Sequence, residues 1–81
     1  MFINKAADGK NNLCGKKIAT LRTQQKLSQR ALADRLQLVG LDVDKNAINR
    51  IESGQRFVTD IELMAFARLF EVSLEELVTV E

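Results

Sequence analysis

Residues 28–54 read SQRALADRLQLVGLDVDKNAINRIESG, and this stretch decides the fold. It opens on Ser28, whose hydroxyl suits the free amides of a helix start, with Leu27 before it and Leu32 one turn in. A capping side chain held between two such apolar residues is a hydrophobic staple. The arrangement returns at Asp44, between Val43 and Ile48. The stretch closes on Ser53 and Gly54, and glycine readily takes the left-handed conformation that stops a helix. Two helices are therefore predicted, over residues 29–37 and 45–53.

The same signal continues downstream. Thr59 stands between Val58 and Leu63, and Ser73 between Val72 and Leu77. Glu62 and Glu76 follow their caps by three residues, the spacing of a capping box in which the carboxylate returns a bond to the cap's own amide. Helices over 60–70 and 74–80 follow. Upstream, Leu13, Cys14, Ile18 and Leu21 recur at helical spacing and predict a first helix over 13–25. Residues 1–12 are polar and weakly patterned, a flexible N-terminal leader with little to bury, so residues 13–81 make the domain. With no convincing strand the fold class is all-α, five helices around one core. Leu32, Ala33 and Leu36 are expected to face it from the second helix, Ile48 and Ile51 from the third, and Leu63, Phe66, Ala67 and Phe70 from the fourth.

Composition removes several classes of function. The chain has 81 residues, 46% hydrophobic and 28% charged, without proline or histidine and with Cys14 as its one cysteine. One core is all that this length supports. Neither a disulfide within the chain nor a Cys/His zinc site can be assembled, and no metal or cofactor is expected. Cys14 has no histidine to activate it and lies on the apolar face of the first helix, as a small core residue would. Glu75 and Glu76 are adjacent on a helix and do not face each other, and Asp42 and Asp44 sit in a loop beside a cap, so the chain is not read as an enzyme. Gly40 has no glycine-rich company to cradle a nucleotide phosphate. No apolar run approaches the roughly 18 residues of a membrane helix, and the N-terminus lacks a signal peptide's apolar core. The expected location is the cytoplasm.

The net charge of +1 conceals a division. Residues 1–58 hold 11 Lys and Arg against 5 Asp and Glu, a net +6, and residues 59–81 hold 1 against 6, a net −5. A basic segment followed by an acidic one points to a polyanion-binding face on the first and a different role for the second. Within the basic part, Lys45, Asn46, Asn49 and Arg50 share one side of the third helix, and Ile48 and Ile51 the other. Lys and Arg suit guanine, and Asn suits adenine, so this face has the chemistry to read base edges in a major groove. A solvated face on a short helix has the same pattern.

The run Ser28 to Ala33, followed by Ile48, Asn49, Arg50, Ile51, Glu52, Ser53 and Gly54, is similar to the helix-turn-helix of the XRE family, which includes the Cro and lambda-type phage repressors. The likeness continues through Thr59 to Leu77 and covers roughly residues 13–80. It implies a lambda-repressor-like domain that binds double-stranded DNA sequence-specifically as a transcriptional regulator, in the usual case a repressor. The second helix would lie across the backbone and the third would enter the major groove. On that resemblance Lys45, Asn46, Asn49 and Arg50 are the base contacts, and Ser28, Gln29, Ser53 and Arg56 the phosphate contacts. Arg22 and Glu52 match a structural ion pair of the family. The implied partner is a pseudo-palindromic operator bound by a homodimer, with contact through the fourth and fifth helices. The sequence departs from the family in a lengthened turn between helices 2 and 3, where Gly40 comes late; Leu38, Val39 and Leu41 either anchor that turn on the core or form a protein contact. The rival reading is a protein-interaction module, an antitoxin or antirepressor that uses the same fold to hold a regulatory protein partner.

Overall fold

The computed structural model describes residues 5–79, and these form five α-helices and no strand: α1 (Gly15–Gln24), α2 (Gln29–Leu38), α3 (Lys45–Glu52), α4 (Asp60–Phe70) and α5 (Leu74–Val78). Each of the four stapled caps holds its helix start. Ser28 Oγ accepts from the Ala31 amide at 3.0 Å and Asp44 Oδ1 from Ala47 at 2.8 Å. Thr59 Oγ1 accepts from Glu62 at 3.2 Å, and Ser73 Oγ from Glu76 at 3.1 Å. At Thr59 the box is complete, because Glu62 Oε1 accepts from the Thr59 amide at 3.0 Å. The reciprocal bond expected at Ser73 is not made; the Glu76 side chain stays in solvent, where water already satisfies it.

Four helices end alike. Lys26, Gly40, Gly54 and Glu71 all have positive φ, between 56° and 92°. At each, the following residue's amide bonds back five positions: Leu27 to Arg22, Leu41 to Leu36, Gln55 to Arg50 and Val72 to Ala67. This is the Schellman stop, which satisfies carbonyls the helix leaves open. Gly54 was the stop expected from sequence. Gly40, late for a short turn, ends α2 one residue beyond its expected limit. The remaining link to α3 is pinned by Leu41, which packs on the core, by buried Val43, and by Gln37 Nε2 donating to the Val43 carbonyl at 2.8 Å. Leu38 and Val39 do not anchor it; both face solvent.

One core joins all five helices. Ile18, Leu32, Leu36, Ile48, Ile51, Phe66 and Leu77 are fully buried, each stabilising the fold by roughly 1.5–3 kcal/mol relative to exposure. Helices of 5–11 residues are too short to persist alone, so this packing is what keeps them folded. Two expectations are corrected at α1. It starts at Gly15 rather than residue 13, with Cys14 as a buried N-cap that makes no side-chain bond, and Leu13 is exposed. The fifth helix, expected over 74–80, ends at Val78 with Thr79 extended, and Val80 lies outside the described residues.

The described part of the leader is bonded to the domain. Ala6 to Lys10 close a turn, and Asn11 donates from its amide to the Gly54 carbonyl and from Nδ2 to that of Gln55. Asn12 Nδ2 donates to the carbonyls of Ile51 at 3.0 Å and Arg56 at 2.8 Å, and its Oδ1 accepts from the Gly15 amide. Asparagine serves here because one side chain supplies donors and an acceptor together. Asn11 and Asn12 are thereby tied to the last turn of α3 and the residues after it.

Candidate nucleic-acid interface

Helix α3 presents two chemistries on opposite sides. Ile48 and Ile51 are fully buried against α1 and α2, and Lys45, Asn46, Asn49 and Arg50 are all exposed. No side-chain hydrogen bond within the described residues occupies these four polar groups. An arginine fork and two carboxamides held free on one short helix have the donors and acceptors to bond base edges two at a time.

The helix is held in place at its last residue. Arg22 of α1 donates from Nε to Glu52 Oε2 at 2.7 Å and from NH2 to Oε1 at 3.1 Å, and its NH1 donates to the Leu27 carbonyl at 2.8 Å. Side-chain exposure is 16% for Arg22 and 9% for Glu52, so the pair is largely shielded from water and salt. Gln29 Nε2 at the start of α2 donates to the same Glu52 Oε1 at 3.1 Å. One carboxylate therefore fixes α1, α2 and α3 relative to one another. At the start of α2, Ser28 is exposed and Gln29 half-buried, and the first-turn amides lack helical partners, which favours an anion there. Ser53 is exposed at the end of α3, its hydroxyl donating to the Arg50 carbonyl.

Arg56, like Gln29, already donates to a carboxylate, here with both ends of its fork. Its NH1 and NH2 donate to Glu62 Oε1 and Oε2 at 3.0 and 2.9 Å. These bonds raise the guanidinium's already high pKa. Burial pushes the Glu62 carboxyl up, but the bonds from Arg56 and from Thr59 outweigh it and hold the carboxyl below its ordinary value. Arg56 thus neutralises a buried acid, and would meet a phosphate only by sharing its fork with Glu62 or leaving it.

Three residues act here in ways the sequence reading did not show, Glu62 among them, which was read only as half of a capping box. Asn12 and Glu62 act through bonds to residues distant in sequence or in an irregular loop, which leave no periodic trace. Gly15 is the third: a Cβ there would collide with the Ile51 carbonyl oxygen, so α1 reaches the last turn of α3 only because glycine stands at this position. Cys14 is buried beside it, and burial pushes its thiol up to about 11. That thiol is a packing group, not a nucleophile.

Five short helices with a capped second helix and a third helix packed across it are the arrangement of a helix-turn-helix domain. A helix-turn-helix family model matches residues 18–77, and the chain belongs to that family, the XRE-type helix-turn-helix proteins. Comparison with curated proteins and with solved structures gave no match. At the level of class, membership makes the chain a DNA-binding transcriptional regulator of a typically non-enzymatic family. Among the described residues no helix is long and apolar enough to cross a membrane, and no cluster of three metal-ligating side chains occurs.

Proposed function

We propose that the chain binds operator DNA sequence-specifically in the cytoplasm and acts as a repressor, with α3 in the major groove and α2 across the backbone. The observation that carries this reading is the free polar face of α3, locked from behind by the Arg22–Glu52 pair. Arg50 would bond guanine, and Asn46 adenine, each through two bonds, with Lys45 and Asn49 completing the base contacts. Ser28, Gln29 and Ser53 would meet phosphate, joined by Arg56 when its fork is shared with Glu62.

Selection of duplexes from a random pool tests the division of labour. Asn46→Ala and Arg50→Ala should relax the selected sequence, each losing roughly 1–3 kcal/mol of discrimination. Gln29→Ala and Arg56→Ala should select the parent sequence and weaken all duplexes alike, and only Arg56→Ala should flatten the salt dependence. If Arg56→Ala alters the selected sequence and neither α3 variant does, α3 is not the reader.

The rival, an interaction module such as an antitoxin or antirepressor, draws support from exposed Leu38, Val39 and Ile61 beside the acidic C-terminal part. It requires indifference to duplex DNA.

A further inference from the structure

A groove of about 780 Å³ lies beside the end of α3, between the leader and the first turns of α1. Lys10, Lys16 and Lys17 line it, with Glu52 and Gly54 on the α3 side. Lys10 is held there by packing: its aliphatic stem lies on Gly54, where a Cβ would collide with it, and the bonds of Asn11 and Asn12 fix the chain that follows. The positive charge is left uncompensated. None of the three ammonium groups joins an ion pair or a side-chain hydrogen bond among the described residues, and the Glu52 carboxylate is already taken by Arg22 and Gln29. Asp8 is the remaining acid on the groove, and its Oδ1 accepts from the Lys10 amide.

Helix α1 gains nothing from this arrangement. Lys16 and Lys17 occupy its first turn, where the helix dipole favours acids, and that turn holds no acidic residue. Cations placed against the dipole, with no counter-charge in the fold, point to an anion supplied from outside. The position of the groove indicates which. It adjoins two of the expected phosphate contacts, since Gln29 bonds the same Glu52 that lines it and Ser53 stands between Glu52 and Gly54. We propose that Lys10, Lys16 and Lys17 hold the DNA backbone beyond the base pairs that α3 reads, so that the leader and α1 lengthen the footprint without reading sequence. The proposal rests on the reading of α3 as the helix in the major groove, and it adds a backbone contact outside the helix-turn-helix itself.

Titrations over a range of salt concentrations test it on two duplexes. One is trimmed to the half-site that the chain selects from a random pool, and the other extends that half-site at both ends by about half a helical turn of arbitrary sequence. The parent should bind the extended duplex at least roughly tenfold tighter at low salt, with a salt slope steeper by about 2–3, because each phosphate neutralised adds about 0.9. K10Q/K16Q/K17Q should lose most of that difference, yet select the parent sequence and bind the trimmed duplex within about threefold of the parent. K10R/K16R/K17R keeps the charges and should keep the difference. Removing Lys16 and Lys17 relieves the α1 dipole, so the glutamine variant should melt no lower than the parent, and its affinity for the trimmed duplex reports that α3 is still in place. A glutamine variant that gains as much as the parent from the longer duplex, or that loses equally on both, would overturn the proposal and leave α3 as the reader. A parent that selects no sequence and binds neither duplex would overturn the DNA-binding reading, and this contact with it.

Discussion

Glu52 is the residue on which the position of the polar face of α3 depends. Its carboxylate receives Arg22 and Gln29 at once, and its removal would leave a largely buried guanidinium without a counter-charge. Glu52→Gln should cost about 2–4 kcal/mol, below the top of the range for a buried pair because Arg22 keeps its Leu27 bond and some access to water. An unchanged melting temperature would count against the pair as a support of the fold. Glu62 makes a different prediction, tied to pH. Its carboxyl is held below the ordinary value in the fold, so its ionised form adds stability that is fully present above the unfolded value of about 4.3. That contribution disappears as the pH falls through the lower, folded value. Glu62→Gln should therefore destabilise the protein at neutral pH and show a shallower loss on acidification; an acid arm as steep as the parent's would exclude Glu62 as its source. Ion pairs of this kind were half legible in the sequence. Arg22–Glu52 followed from family resemblance, but Arg56–Glu62 joins a loop residue to a capping box, and no spacing rule connects them.

At the level of elements, helix starts were readable and helix stops only partly so. The starts are local chemistry: a hydroxyl or carboxylate and two apolar neighbours within five residues decide them, and all four caps form. Four of the five stops use a left-handed residue, yet only Gly40 and Gly54 advertise it. Lys26 and Glu71 take that conformation with a Cβ in place, held there by their Schellman bonds and by the packing of the helices that follow. Opposite substitutions at equivalent stops should consequently act with opposite sign. Lys26→Gly relieves the strain and should stabilise by about 0.5–1 kcal/mol, whereas Gly54→Ala introduces it and crowds the Lys10 side chain, costing about 1–2 kcal/mol. Thermal melts of the two variants decide the matter, and a Lys26→Gly protein less stable than the parent would show that this end of α1 is not strained.

For the whole molecule, the division of charge acquires a spatial meaning. The polar face of α3 lies in the part that carries +6, and α4 and α5 lie in the part that carries −5, so anion binding and self-association would use separate surfaces. If two copies join through α4, they should occupy a pseudo-palindromic site whose half-sites lie about one helical turn, roughly 34 Å, apart. Inserting half a turn of DNA between selected half-sites should abolish the gain from pairing them without altering affinity for either alone. Equal binding to the respaced site, measured by titration, would mean that the two copies do not touch.

Length, composition and the spacing of caps and apolar residues were enough to determine five helices, their order and most residues of one core, though not Leu13, which is exposed, or Leu63, which is half-buried. They also assigned Lys45, Asn46, Asn49 and Arg50 to the free side of α3, because that property repeats within a few residues and belongs to a single helix. What the tertiary structure alone decided are the relations between elements. Asn12 reaching Ile51 and Arg56, Gly15 admitting α1 against α3, and Arg56 turning to Glu62 each depend on backbone groups brought together only by the fold. So does the exposed row of Asp60, Met64 and Arg68: a helical period says which residues share a face, but which face the core leaves uncovered is settled by how all five helices pack.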